Sequence, residues 1–110
     1  MTPLHKILIN KDTKINPIWI MRQAGRYLPE FREIRKSNPH FINLCLNDKL
    51  SSEITLQPLK RFDFDAAIIF SDILMLPYGL NQKVEFKKDF GPILGELNIK
   101  DMSKVDEIDF

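Results

Sequence analysis

The chain has 110 residues, of which 44% are hydrophobic, 28% charged and 10% aromatic, and this composition excludes collagen-like, disordered and low-complexity proteins. With 16 lysines and arginines against 15 acidic residues, the formal net charge is +1, so no overall field favours nucleic acid or anionic lipid as a partner. The longest fully apolar run, residues 66–70, is far shorter than the ~20 residues that cross a bilayer, and a single cysteine excludes an internal disulfide framework. We therefore expect a cytoplasmic protein with no membrane partner.

The first half of the chain predicts a strand, a loop and two helices. Pro17–Met21 is short, apolar and rich in β-prone side chains, which predicts a strand that we call strand one. A loop that contains a glycine follows over residues 22–28, and Pro29 is a good first residue for a helix that runs to Lys36. After a break at Asn38-Pro39, a second short helical segment covers Phe41 to Leu46.

The next part of the chain predicts a longer helix and then a buried strand. Apolar residues recur near a helical period from Leu50 to Phe62, with Asn47 or Asp48 as N-cap and a kink at Pro58. Asp65–Phe70 is almost continuously apolar, which is typical of a strand that is covered on both faces in a parallel sheet. The order of strand, helices and strand is a βαβ unit of an α/β domain.

The remaining segments predict loops and one exposed strand. Val84–Phe86 alternates like a short exposed strand, Gly91-Pro92 indicates a turn, and Ser103 is a candidate helix N-cap. Two core strands are fewer than a closed α/β domain needs, so the chain is expected to be the front part of a larger domain. Residues typical of a loop precede the exposed strand: Pro77, Gly79 and Asn81.

Two arginines in the loop after strand one are candidate anion ligands. Arg22 and Arg26 each carry a planar guanidinium group that matches a carboxylate with two hydrogen bonds. Gly25 lies between them and is expected to let the backbone bend, so that both groups face one anion. The alternative is that Arg26 pairs with Glu30 at helical spacing while Arg22 is solvated, and the spacing alone favours this alternative.

An acidic residue follows the predicted buried strand. Ligands of parallel α/β sheets bind beyond the carboxyl ends of the strands, which makes Asp72 a candidate site residue. Alternatively, Ser71 or Asp72 N-caps the segment Ile73 to Leu76, and the two roles are compatible. Because a right-handed crossover brings the carboxyl ends of parallel strands to one side of the sheet, we expect Arg22, Arg26 and Asp72 to converge.

The other residues that could carry chemistry favour structural roles. His5 and His40 lack the spacing of metal ligands, so no metal site is expected. Cys45 is expected to be a thiol buried in the core. Trp19 on strand one is expected in the core as well, although it could line a pocket.

Two blocks of the sequence resemble a known family. Residues 17–30, with the sequence PIWIMRQAGRYLPE, closely resemble the N-terminal signature of the uroporphyrinogen decarboxylase family, and residues 53–58 and 65–74 resemble its second block. The resemblance implies that residues 1–110 are the N-terminal portion of one (β/α)8 TIM-type barrel domain, which is incomplete in this chain. It implies a homodimer for a full-length member.

The same resemblance implies a reaction in haem biosynthesis. The family removes carbon dioxide from the four acetate side chains of uroporphyrinogen III, a tetrapyrrole, to give coproporphyrinogen III without a metal or an organic cofactor. The alternative is a truncated or split-gene product that is catalytically inactive and keeps only part of the substrate-binding site.

The resemblance also assigns site residues. Asp72 matches the aspartate that receives the pyrrole N–H groups, so it is the expected catalytic residue. Asn81 stands where the family often has glycine, which is a mild change because asparagine tolerates a left-handed backbone. The family's substrate-binding loop, whose arginines meet substrate carboxylates, matches Arg22, Gln23, Ala24, Gly25 and Arg26.

Overall fold

The computed structural model describes residues 2–96, which form two compact units divided between Phe70 and Ser71. The helices are α1 (Pro3–Asn10), α2 (Pro29–Ser37), α3 (Phe41–Leu46), α4 (Asp48–Arg61) and α5 (Met75–Gly79), and the strands are β1 (Val84–Lys87) and β2 (Gly91–Leu94). Among the described residues, no helix is long and apolar enough to cross a membrane.

Local sequence explains where the helices of the first unit begin. α1 and α2 begin at Pro3 and Pro29, where the fixed φ of proline suits a first helical residue. Asn47 caps α4, because its side chain accepts a hydrogen bond of 3.0 Å from the Leu50 N–H group. The predictions of α2, α3 and α4 are confirmed. α1 was not predicted, although Thr2 before Pro3 is an N-cap signal.

The helices of the first unit share a small apolar core. Ile54 on α4 is 0% exposed, and the Phe70 ring packs edge-on against Phe31 with 5.7 Å between ring centroids. Cys45 on α3 is half-buried and does not belong to the core cluster, so the prediction of a thiol buried in the core is wrong. The core consists of Leu28, Phe31, Leu44 and Ile54.

The two strands predicted for the first unit are wrong. Neither residues 17–21 nor residues 65–70 form a strand. Their apolar side chains are largely exposed, at 75% for both Met21 and Ile69. Trp19, expected in the core, is 47% exposed. The physical reason is that a strand of a parallel sheet needs a paired neighbour and covered faces, and the one sheet in residues 2–96 is formed by β1 and β2.

The two segments nevertheless lie side by side. The Asp65 N–H group donates a hydrogen bond of 2.9 Å to the Ile18 carbonyl oxygen. The Ile18 N–H group donates in return to the Asp65 carboxylate, at 2.8 Å from Oδ2. The second hydrogen bond between the two segments is therefore accepted by a side-chain carboxylate and not by a backbone carbonyl, so the segments do not pair as β-strands.

Two hydroxyl groups of α4 bind the backbone of Phe70. The Phe70 N–H group donates to Thr55 Oγ1 at 2.7 Å, and Ser51 Oγ donates to the Phe70 carbonyl at 2.6 Å. The Thr55 hydroxyl itself donates to the Ser51 carbonyl at 2.7 Å. Both polar backbone groups of Phe70 are thus satisfied by a helix, where a β-sheet would satisfy them with neighbouring strands.

The second unit contains an antiparallel hairpin. β1 and β2 pair in the register Val84↔Leu94 to Lys87↔Gly91, and the chain reverses over residues 88–90. Asp89 and Gly91 have φ values of 67° and 85°, in the left-handed region. The prediction of a strand here is confirmed, but Val84 is buried where an exposed strand was expected.

Two turn predictions in the second unit fail. Gly91 and Pro92 lie in β2 instead of in a turn, and Pro77 and Gly79 lie in α5 instead of in a loop. Asn81 follows α5 with a φ of 63°, which confirms that this position uses the left-handed conformation that asparagine tolerates. The helix predicted to start at Ser103 lies outside the described residues.

Candidate functional site: the arginine loop

Residues 22–26, which we call the arginine loop, follow the segment 17–21 and precede Tyr27 and Leu28, the two residues before α2. Arg22 and Arg26 are exposed, and within residues 2–96 neither guanidinium forms an ion pair or a hydrogen bond. The backbone N–H groups of residues 22–26 likewise donate to no group in the described part of the chain. Guanidinium groups and unbonded amides are both donors that suit a carboxylate. The loop is therefore a candidate anion site.

The start of the arginine loop is held by the side chain of Gln23. Gln23 Oε1 accepts a hydrogen bond of 2.8 Å from the Ile20 N–H group. Its Nε2 donates to the Ala66 carbonyl at 3.1 Å. Because the side chain bonds to both segments, it links residues 17–21 to residues 65–70.

The end of the arginine loop is held by two other side chains. Arg32 Nη1, on α2, donates to the carbonyl oxygens of Arg26 at 2.7 Å and Tyr27 at 3.2 Å. The Tyr27 hydroxyl donates to the Gln23 carbonyl. Sequence reasoning missed this role of Arg32, because nothing in the local pattern indicates that its guanidinium turns back to the preceding loop.

The backbone bends at Gly25, as predicted, but the bend does not use a conformation reserved for glycine. The φ angle of Gly25 is not positive; among the described glycines, only Gly91 has a positive φ. A Cβ atom at Gly25 would meet ring carbons of Tyr27 at 3.6 and 3.8 Å, which is ordinary van der Waals contact. The bend at this position therefore does not depend on a glycine, and the expectation that both guanidinium groups face one anion stays a prediction.

The alternative role expected for Arg26 is wrong. Glu30 does not pair with Arg26; it accepts two hydrogen bonds from Arg61 of α4, at 3.0 Å from Nε and 2.9 Å from Nη2. This hydrogen-bonded pair lowers the pKa of Glu30 and raises that of Arg61. The pairing of Glu30 with a residue far away in the chain leaves the Arg26 guanidinium available.

The Glu30–Arg61 pair predicts an acid-dependent loss of stability. The hydrogen bond from Arg61 lowers the pKa of the folded Glu30, so the stabilisation is present above the unfolded-state pKa of about 4.3 and is lost as the pH falls through the lowered folded value. Urea unfolding of the chain at a series of pH values should show this loss. Glu30→Gln should remove it, and high salt should weaken it. Equal acid sensitivity of the variant and the parent would contradict the assignment.

Asp72 begins a turn that leads into α5. Its Oδ1 accepts a hydrogen bond of 2.9 Å from the Leu74 N–H group, and its carbonyl accepts one of 3.0 Å from Met75. The prediction that Ser71 or Asp72 N-caps the helix is wrong, because the N-cap of α5 is Leu74; Asp72 instead accepts a hydrogen bond within the turn that precedes the helix. Oδ2 makes no hydrogen bond with any described residue. One oxygen of this half-buried carboxylate is therefore left for another partner.

The predicted convergence of the site residues stays a prediction. Arg22 and Arg26 belong to the first unit and Asp72 to the second. Within residues 2–96, no group of three or more side chains is suited to bind a metal ion.

Fold and loop together define a class of protein: a mixed α/β chain that presents a cationic loop with unbonded amide donors. The family model described as uroporphyrinogen decarboxylase (URO-D) matches residues 1–110, and the chain belongs to that family. The resemblance of residues 17–30, 53–58 and 65–74 is thereby confirmed.

Curated relatives carry the same description. A uroporphyrinogen decarboxylase of Agrobacterium fabrum is 50% identical over 103 residues, which cover 94% of this chain and 30% of that protein. One of Rickettsia massiliae is 54% identical over 87 residues, or 79% of this chain and 25% of that protein. One of Rickettsia rickettsii is 56% identical over 78 residues, which cover 71% of this chain and 22% of that protein. The chain thus spans less than a third of the length of these relatives.

Proposed function

We propose that this chain is the N-terminal, substrate-binding portion of a uroporphyrinogen decarboxylase, and that residues 1–110 belong to one (β/α)8 barrel domain. The complete enzyme converts uroporphyrinogen III to coproporphyrinogen III in the cytoplasm and acts as a homodimer. The observation that carries the proposal is the arginine loop, whose guanidinium groups are exposed and unpaired within the described residues. The family membership supports the choice of reaction.

The arginine loop binds carboxylate side chains of the substrate. The forks of Arg22 and Arg26 each match one carboxylate with two hydrogen bonds, and the amides of Gln23, Ala24 and Gly25 supply further donors. Arginine has a pKa of about 12 or more, so these groups bind and orient carboxylates and do not donate the proton of the reaction.

Asp72 stabilises positive charge that develops on the substrate. Loss of carbon dioxide from an acetate arm leaves an electron pair that needs a sink, and protonation of a pyrrole carbon turns the substrate itself into that sink. The protonated ring is cationic, and the pyrrole N–H groups are hydrogen-bond donors. Both properties suit a carboxylate that is already oriented, as Asp72 is by the Leu74 N–H group.

A hybrid protein tests the proposed function directly. In the hybrid, this chain takes the place of the aligned 103 residues of the Agrobacterium fabrum relative. We expect the hybrid to convert uroporphyrinogen III to coproporphyrinogen III, measured by chromatography of the oxidised products. A hybrid that folds like the relative and gives no product would show that the chain is an inactive product instead.

A conservative substitution tests the binding role of Arg26. Arg26→Lys keeps the charge but loses the planar fork, so KM of the hybrid should rise about tenfold. Arg61→Lys is the matched control, since Arg61 is also on the surface but is paired with Glu30. Its KM should stay within about twofold of the parent. Equal KM values for Arg26→Lys and the parent would contradict the proposed contact.

A further inference from the structure

The first unit contains two buried glutamines whose surroundings differ. Gln23 is 5% exposed and Gln57 on α4 is 4% exposed. The carboxamide of Gln23 both donates and accepts a hydrogen bond with the backbone. Within residues 2–96, the carboxamide of Gln57 has no hydrogen-bond partner at either Oε1 or Nε2. Of these two buried carboxamides, only that of Gln23 is hydrogen-bonded within residues 2–96.

The bonds of Gln23 connect the arginine loop to the core of the first unit. Gln23 directly follows Arg22, and its carbonyl accepts from the Tyr27 hydroxyl next to Arg26. Its Nε2 binds Ala66, in the segment whose last residue, Phe70, is bound by two hydroxyl groups of α4. Helix α4 is thus connected to the arginine loop through the backbone of residues 66–70 and the hydrogen bonds at its two ends. No charged side chain takes part in this connection.

We infer that Gln23 is a positioning residue, whose carboxamide holds the arginine loop in the conformation in which Arg22 and Arg26 bind substrate carboxylates. The inference rests on the proposed function of the loop and deepens it. Being 5% exposed, with Oε1 and Nε2 both bonded to the backbone, the side chain acts through the arginines and not by its own contact with substrate.

Replacing Gln23 by methionine separates the effect of its two hydrogen bonds from the effect of its side-chain volume. Gln23→Met keeps the length of the side chain but can neither accept from Ile20 nor donate to Ala66. Since the loss affects substrate binding and leaves the reacting group alone, KM of the hybrid should rise about tenfold while kcat changes less than about threefold. Gln57→Met is the matched control, because it removes an equally buried carboxamide that forms no hydrogen bond with any described residue. Its KM should equal that of the parent.

A double-mutant cycle excludes a merely structural effect. If Gln23 acts through Arg26, Gln23→Met should raise KM much less in an Arg26→Ala background than in the parent. A general loss of stability would raise KM by the same factor in both backgrounds, and that result would overturn the inference. Amide exchange at Ile20 gives a second measurement, since its N–H group should lose protection in Gln23→Met. Unchanged protection there would also overturn it.

The outcomes for the loop and for Gln23 are distinguishable. If the unsubstituted hybrid neither binds nor converts uroporphyrinogen III, the proposed function fails and the inference fails with it. If the hybrid is active and Arg26→Lys raises KM while Gln23→Met does not, the proposed function stands and the positioning role is wrong.

Discussion

Replacing Asp72 by alanine should lower the turnover of the hybrid by roughly 10²- to 10³-fold, the loss seen when one preorganised electrostatic group is removed from an active site. The expectation follows from the carboxylate itself. Its Oδ1 is bound by the Leu74 N–H group, which orients it, while Oδ2 bonds to no described residue. Steady-state kinetics with uroporphyrinogen III give kcat. The loss should appear in kcat more than in KM, because the cationic ring forms only during the reaction.

An asparagine at the same position separates the charge from the turn. Asp72→Asn keeps an oxygen that accepts from the Leu74 N–H group, so the turn into α5 should persist. The negative charge is lost, so turnover should fall almost as far as in Asp72→Ala. If the asparagine variant retains near-normal turnover, Asp72 has only the structural role of stabilising the turn that precedes α5.

Truncation of Ile54 to alanine should destabilise the first unit by about 2–5 kcal/mol, because it removes buried methyl groups and leaves a cavity. Ile54 is 0% exposed and lies on α4 in the core with Leu28, Phe31 and Leu44. A change of this size is a large part of the ~5–15 kcal/mol by which a domain is stable. Urea unfolding followed by circular dichroism gives the free energy of unfolding.

The control for Ile54 lies two residues further along the same helix. Leu56 is 48% exposed, so Leu56→Ala should change the free energy of unfolding by no more than about 0.5 kcal/mol. Replacing isoleucine by alanine gains more helix propensity than replacing leucine, so helix propensity does not explain a larger loss of stability in Ile54→Ala. Equal effects of the two substitutions would show that Ile54 is not a core residue in solution.

Helices of the first unit could be predicted because their signals are local. Pro29 at the first position of α2 and Asn47 as the cap of α4 act on groups within one helical turn. The same kind of signal, Thr2 before Pro3, marks the start of α1, the helix that was not predicted. The family could be recognised from residues 17–30, because a continuous motif of this length is specific even in a single sequence.

Strands and contacts of the site could not be predicted in this way. The apolar runs at residues 17–21 and 65–70 predict burial, but pairing depends on which other segments are present to complete a ladder. The bend at Gly25 was predicted, but only the structure shows that it needs no positive φ and leaves room for a Cβ atom.

The amino-acid sequence by itself determined the helices α2 to α4, the left-handed turn at Asn81 and the family of the protein, since each depends on neighbouring residues or on a continuous motif. The tertiary structure decided which partners the polar groups of the site have. Glu30 pairs with Arg61 across 31 positions, and Gln23 reaches Ala66 across 43. Such bonds depend on how the chain folds back on itself. No local pattern therefore predicts that, within residues 2–96, the guanidinium of Arg26 is unpaired while both polar atoms of the Gln23 side chain are hydrogen-bonded.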